Sequence, residues 1–117
     1  MIVSVKNPFS LIGRKLTFRF DIWAWFKTCE LSGIEIHEMD KLTADQKALA
    51  WLYAAYLSHC ANTYKKPKHG YKFFDRYYRH LYVNDYKTLQ LLTKTMVQTQ
   101  FMGKSLEEHA ADDEKKK

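Results

Sequence analysis

The feature that most constrains this fold is an uninterrupted apolar run of ten residues, Ala48–Leu57, inside a longer helical pattern. A capping box opens the pattern, because the Thr43 hydroxyl can accept from the amide of Gln46 while the Gln46 side chain reaches back. We predict that this helix continues to about Tyr64. A helix without a polar face must be enclosed by the rest of the chain, so we expect it at the centre of the core. The run is too short to span a bilayer.

A period-two pattern precedes this helix. In Lys15–Phe20, apolar side chains occupy every second position and alternate with basic or hydroxyl-bearing ones. Such alternation is typical of a half-buried strand with one apolar and one polar face. We expect it to pair with the short apolar stretch Ile2–Val5 as an N-terminal hairpin.

A short amphipathic helix is predicted directly after the strand. Asp21 is a good N-cap, and Gly33 suits the position just past the last turn. Four side chains recur at helical spacing between them and are predicted to face the core: Ile22, Trp25, Phe26 and Cys29. Trp23 is displaced by about 100° from Ile22 and is therefore predicted to lie outside this stripe.

Two more helices complete the predicted fold, Lys72–Tyr82 and Tyr86–Met102, with Asn84 as the candidate N-cap of the second. Gly103 is expected to stop that helix. Residues 1–103 are thus predicted to form one mainly α domain of about four helices, with a short N-terminal β-strand or hairpin. Residues 104–117 are charged and are expected to be a flexible tail.

The chemistry-bearing residues do not form a catalytic pattern. Four isolated glycines cannot build a phosphate-binding loop: Gly13, Gly33, Gly70 and Gly103. The two cysteines lack the paired spacing of a zinc site, and Cys29 with His59 is better explained as two core residues than as a nucleophile and its base. The stretch His37–Asp40 resembles a metal site in composition only and is interpreted as a solvated linker. We predict a protein that is not an enzyme and needs no cofactor or metal.

Cysteine usage and the N-terminus indicate a compartment. Cys29 and Cys60 sit in apolar helical patterns, where a reduced cysteine acts as a small hydrophobic residue. No secretory apolar segment follows Met1. We therefore expect a soluble cytoplasmic protein.

Charge is unevenly distributed. The segment Lys65–Lys94 holds eight basic and two acidic residues. Six aromatic residues interleave with them: Tyr71, Phe73, Phe74, Tyr77, Tyr78 and Tyr82. This pattern fits a helix whose aromatic residues are core and whose Arg76 and Arg79 are solvated. It also fits a surface for single-stranded nucleic acid, or a protein-binding face. The acidic stretch Asp21–Lys47 would allow copies to stack head to tail.

Two positions are predicted to contact a partner. Trp23 is not needed by the core stripe, and tryptophan is enriched among residues that dominate interface energy. Tyr77 and Tyr78 are adjacent on a helix, so both cannot point fully inward. We predict that Trp23 and one of these tyrosines contribute to an apolar patch that binds another copy or an amphipathic helix. The alternatives are that the hairpin covers Trp23, or that the basic side chains of Arg76 and Arg79 form the binding face.

The order of these elements resembles a known family over about residues 14–101. A strand reading Lys-Leu-Thr-Phe-Arg-Phe-Asp leads into a short helix ending near Ser32-Gly33, and an acidic linker follows. A capped, Ala-rich helix then contains Leu49–Tyr56, and two further helices and a charged tail complete the chain. This arrangement is similar to the tail assembly chaperones of long-tailed bacteriophages. The aromatic third helix and the basic loop Lys65–His69 depart from it.

The resemblance implies a function without catalysis. Such chaperones coat the tape measure protein during tail morphogenesis, keep its hydrophobic helices soluble, and then yield to tail tube subunits. It implies a cofactor-free homo-oligomer in the cytoplasm of the infected bacterium. Lys115–Lys117 is compatible with a slippery codon run, at which a frameshift would add a second domain. The competing hypotheses are a small basic nucleic-acid-binding or regulatory protein and a structural component of the virion.

Overall fold

The computed structural model describes residues 2–33, 38, 41–98, 100–101 and 104–105. It confirms a mainly helical fold that begins with an antiparallel hairpin. The elements, in chain order, are β1 (Ile2–Lys6), β2 (Lys15–Arg19), α1 (Ile22–Ser32), α2 (Ala44–Asn62), α3 (Tyr71–Asn84), α4 (Tyr86–Gln98), β3 (Gln100–Phe101) and β4 (Lys104–Ser105). Within the described ranges, no helix has the length and apolarity needed to cross a membrane.

The N-terminal hairpin forms as predicted. β1 and β2 pair antiparallel, with Val3 opposite Phe18 and Val5 opposite Leu16. Leu16, Phe18 and Phe20 are all buried, so one face of β2 lies on the core. The period-two alternation therefore identified both the strand and its inner face.

Helix α2 is the centre of the core, as its apolar composition required. Both bonds of the capping box at Thr43 and Gln46 are present. α2 packs against β2 and against the other three helices. Trp51 is only 4% exposed, and its ring lies 4.7 Å from that of Trp25, centroid to centroid.

The ends of α1 were predicted correctly, but its inner face was not. The Asp21 carboxylate accepts from the Ala24 amide at 2.9 Å, and Gly33 ends the helix in the left-handed region with φ of 68°. Ile22 and Phe26, predicted to face inward, are 43% and 54% exposed.

Small side chains explain this rotation of α1. The buried face consists of Ala24, Trp25, Thr28 and Cys29. Ala24 and Thr28 allow α1 to lie close to α2, and the Thr28 hydroxyl donates to the Ala24 carbonyl at 2.8 Å, so its burial leaves no unpaired donor. Ser58 of α2 fixes the start of α1, because its hydroxyl donates to the Asp21 carboxylate at 3.0 Å.

Helices α3 and α4 meet at Asp85. Asn84, predicted as the N-cap of α4, is instead the last residue of α3. Asp85 performs the capping, because its carboxylate accepts from the Thr88 hydroxyl at 2.7 Å and from the Thr88 amide at 3.4 Å. The inner faces of both helices are apolar: Phe74, Tyr77 and Leu81 on α3, and Leu89, Leu92 and Met96 on α4.

Helix α4 is shorter than predicted. It ends at Gln98 rather than Met102, and the chain then pairs Gln100–Phe101 antiparallel with Lys104–Ser105. This pairing crosses the predicted boundary between domain and tail at residue 103. The predicted helix stop at Gly103 and the rest of the predicted tail, residues 106–117, lie outside the described residues.

Candidate partner-binding surfaces

The nucleophilic and metal-ligating residue types are dispersed. Cys29 is buried, and burial raises the pKa of its thiol, which opposes the thiolate form a nucleophile needs. Burial and the charges of Lys65 and Arg19 lower the pKa of His59. Among the residues whose positions are described, no three His, Cys, Asp or Glu side chains form a group that could hold a metal ion. The stretch His37–Asp40 lies outside the described residues except for Glu38.

One exposed apolar surface is on α1. Four large side chains form what we call the α1 apolar face: Ile22 (43% exposed), Trp23 (43%), Phe26 (54%) and Leu31 (41%). At 100° per residue they occupy the half of the helix opposite the buried face. Lys27 and Glu30 lie among them and pair at 3.3 Å, and the Lys27 ammonium is 6.0 Å from the centroid of the Trp23 ring.

Trp23 therefore lies where the sequence predicted, on the outside of α1. The alternative that the hairpin covers it is not what the structure shows, because nearly half of its surface remains exposed. Sequence reasoning missed Ile22 and Phe26 as surface residues. Both faces of α1 carry large apolar side chains, so apolar spacing alone could not decide which face is inside. The small residues Ala24 and Thr28 were the available signal.

A second surface is a groove between the start of α2 and the helices α3 and α4. Two adjoining depressions of about 370 Å³ and 630 Å³ share Asp45, Tyr78 and Tyr82 in their walls. Four tyrosines line them, and we call this surface the tyrosine groove: Tyr71, Tyr78, Tyr82 and Tyr86. The first three recur along one face of α3, which is distinct from its core face.

The two adjacent tyrosines have different environments. The Tyr78 hydroxyl donates to Asp45 at 2.6 Å, and burial together with this carboxylate raises the pKa of Tyr78, so the hydroxyl stays protonated. Tyr77 is fully buried. Of the predicted pair, only Tyr78 can contact a partner, and Tyr77 is a core residue.

Trp23 and Tyr78 do not form one patch. The start of α1 is bonded to Ser58 near the end of α2, whereas Tyr78 is bonded to Asp45 near its beginning. Thirteen residues of helix separate these two anchor points, which is about 20 Å along the axis. The structure therefore places Trp23 and Tyr78 on two separate apolar surfaces and not on the shared patch that the sequence predicted.

The third surface is basic. Nine exposed side chains from three parts of the chain define what we call the basic face: Lys6, Arg14, Lys15, Lys65, Lys66, Lys68, Lys72, Arg76 and Arg79. Arg76 and Arg79 are solvated, as one of the interpretations of the sequence required. Arg79 pairs with Asp75 at 3.3 Å, and both side chains also line the tyrosine groove, so the two surfaces meet at this pair.

Aromatic contacts join the parts of the basic face. Phe9, in the β1–β2 loop, lies 5.8 Å from the Phe73 ring and beneath the Arg76 guanidinium at 5.1 Å. The His69 ring stacks on Phe73 with centroids 3.9 Å apart, which ties the Lys65–Gly70 loop to α3. The contribution of the hairpin loop to this surface could not be predicted from local sequence patterns, because Phe9 contacts residues more than sixty positions later.

No family model matches the chain, and no curated protein or solved structure is found to be similar to it.

Proposed function

We propose that this protein is a non-enzymatic tail assembly chaperone of a long-tailed bacteriophage, which binds the tape measure protein in the host cytoplasm during tail morphogenesis. The observation that carries the proposal is the α1 apolar face. Large apolar side chains grouped on one face of a surface helix mark a site of interaction rather than ordinary surface. The resemblance of residues 14–101 to such chaperones supplies the identity of the client.

The α1 apolar face suits an amphipathic helix as its ligand. Ridges formed by Ile22 and Phe26, four residues apart, can enter the groove between the ridges of a client helix. Trp23 contributes the largest contact area and a single indole donor, as interface anchors commonly do. The pair Lys27 and Glu30 supplies one charge of each sign, which would fix the direction of the bound helix.

Shielding of the client follows from this arrangement. A tape measure helix bound on α1 would hide its apolar stripe from other copies, and many chaperone molecules along its length would keep it soluble. No cofactor or covalent step is needed, so the chaperone acts stoichiometrically. The tyrosine groove, about 20 Å away along α2, is left free for a tail tube subunit or for a second copy of the chaperone in a homo-oligomer.

Co-expression with the tape measure protein tests this proposal. Trp23→Ala and Phe26→Ala should each reduce the fraction of the client that stays soluble. Each removes an exposed anchor and leaves the core intact. Leu91→Ala is the matched control, because Leu91 is 50% exposed on α4, outside the α1 apolar face, and should leave the client as soluble as wild type does.

Tyr78→Ala separates the two apolar surfaces. It should leave the client soluble if the tyrosine groove serves tail tube subunits or another copy. If the Trp23 and Phe26 variants fold normally and protect the client fully, the α1 apolar face is not its binding site. The basic face around Arg76 and Arg79 would then become the candidate.

A further inference from the structure

Tyr64 occupies a backbone position that favours glycine. α2 ends in a Schellman motif, in which the Lys65 amide donates to the Cys60 carbonyl at 3.0 Å and the Tyr64 amide donates to the Ala61 carbonyl at 3.4 Å. Tyr64 is the left-handed residue of this motif, with φ of 55°. Its side chain is 97% exposed, so packing does not compensate for the strained backbone.

The surroundings of Tyr64 are strongly basic. Lys65, Lys66 and Lys68 follow it directly, and all three are exposed. The loop then returns to the protein through the stacked rings of His69 and Phe73. An exposed aromatic residue is thus followed in sequence by three exposed lysines, in a loop that is anchored to α3.

The basic face concentrates the charge of the whole chain. Its nine basic side chains and the Asp75 carboxylate that pairs with Arg79 sum to a formal charge of +8, against +6 for the entire chain. The remainder of the protein is therefore slightly acidic. A surface with this contrast attracts polyanions from a distance.

We propose that the basic face binds single-stranded nucleic acid, with phosphates on its lysines and arginines and a base stacked on the Tyr64 ring. Phosphate neutralisation beside an accessible aromatic ring is the usual way in which proteins hold unpaired strands. This inference is independent of the α1 apolar face and of the proposed chaperone function.

An anionic membrane is the main competing ligand. Leu11 and Ile12, at the tip of the β1–β2 loop, are 103% and 75% exposed beside Arg14. Two apolar residues beside basic ones are a feature that a lipid surface would use. Single-stranded nucleic acid is favoured because the exposed ring of Tyr64 directly precedes the lysines of the Lys65–Lys68 loop.

The test is fluorescence anisotropy of a short labelled oligothymidylate. Tyr64→Gly should weaken binding about tenfold, because stacking on one base is lost. Tyr64→Phe should stay within about twofold of wild type, because the ring remains. Glycine suits the left-handed backbone, so loss of binding in Tyr64→Gly cannot come from loss of the fold.

Charge reversal provides a second, independent readout. The double variant Lys65→Glu/Lys66→Glu should weaken binding at least about tenfold and flatten its salt dependence, since each phosphate contact on a single strand contributes about −0.7 to the logarithmic salt slope. Lys94→Glu is the matched control. Lys94 is exposed on α4 and lines the second depression of the tyrosine groove, whose walls contain no residue of the basic face, so this variant should bind within about twofold of wild type.

Three results would overturn the inference. One is no binding of the oligonucleotide even at about 50 mM salt. Another is equal binding by wild type and Tyr64→Gly. The third is binding to phosphatidylglycerol vesicles that is lost in Leu11→Ser/Ile12→Ser, together with no binding of the oligonucleotide, which would assign the basic face to a membrane.

Discussion

Neighbouring tyrosines on α3 show how a change of about 100° in direction alters the role of a side chain. Tyr77 is enclosed by the core, and its hydroxyl finds no hydrogen-bond partner among the residues that the structure describes. Burial raises its pKa. Tyr78 lies at the edge of the same helix, and its hydroxyl donates a hydrogen bond to the Asp45 carboxylate.

Removing the two hydroxyl groups should therefore have opposite effects. Tyr77→Phe removes a buried polar group that gains no bond, so the free energy of unfolding should stay the same or rise by up to about 1 kcal/mol. Tyr78→Phe removes a charge-assisted hydrogen bond at a partly exposed site and should lower the free energy of unfolding by about 0.5–1 kcal/mol. Urea unfolding measures both. Equal destabilisation by the two variants would show that Tyr77 has a partner in solution.

The left-handed backbone of Tyr64 also leads to a prediction about stability. A non-glycine residue in the left-handed region costs about 1–2 kcal/mol, while glycine loses about 0.5–1 kcal/mol more backbone entropy on folding. Tyr64→Gly should therefore raise the free energy of unfolding by about 0.5–1 kcal/mol. A loss of stability in urea unfolding would mean that the Tyr64 side chain makes stabilising contacts.

His69 links stability to pH. Burial and the neighbouring charge of Lys68 lower its pKa from the ordinary value of 6.5. Between pH 6.5 and the lowered pKa of the folded state, His69 is therefore protonated more fully in the unfolded chain than in the folded one. The free energy of unfolding consequently falls as the pH falls through this range. Unfolding in urea at about pH 7.5 and 5.5 should show the loss, and His69→Gln should reduce it. Identical stability of the wild type at both pH values would contradict this.

At the scale of whole elements, local signals were sufficient to place most of the chain. The capping box at Thr43, the N-cap at Asp21 and the alternation in Lys15–Phe20 each act within a few residues, so the sequence alone reveals them. The rotation of α1 was not predictable in this way. The rotation depends on how closely Ala24 and Thr28 let α1 approach α2, and this distance is set by the side chains of both helices.

The candidate sites, too, were predictable where the signal was local and unpredictable where it depended on long-range packing. Trp23 was identified because it fell outside an apolar stripe, although that stripe was assigned to the wrong face. The link from Phe9 to Arg76 could not be predicted, because it joins a hairpin loop to a helix more than sixty residues later. The choice between Tyr77 and Tyr78 needed the position of α2.

The central position of α2 makes a prediction of its own. Trp51→Ala should lower the free energy of unfolding by about 3–5 kcal/mol, because the ring is buried between Phe20 and Trp25 and leaves a cavity. That is a large part of the roughly 5–15 kcal/mol expected of a small domain. Thermal unfolding would show this loss of stability as a strongly reduced midpoint temperature. A loss below about 1 kcal/mol would show that the core around Trp51 repacks freely.

At the scale of the molecule, one core supports three surfaces, two of which, the tyrosine groove and the basic face, meet at Arg79. The α1 apolar face is on one side of α2, near its end, and the tyrosine groove lies near its beginning. The basic face is formed by the hairpin loop, the loop after α2 and the outer side of α3. On the proposed chaperone function, the separation of the α1 apolar face from the tyrosine groove would let a small protein hold a client helix while a further partner occupies the groove.

Tryptophan fluorescence tests the central claim most directly. Trp25 and Trp51 are buried, whereas Trp23 is 43% exposed on the α1 apolar face, so Trp23 should account for most quenching by acrylamide. Quenching is measured with and without a tryptophan-free helical fragment of the tape measure protein. We predict that the fragment binds and that quenching falls to the level of the Trp23→Phe variant, because the client covers the ring. A fragment that fails to bind, or that binds and leaves the quenching of Trp23 unchanged, would contradict the account.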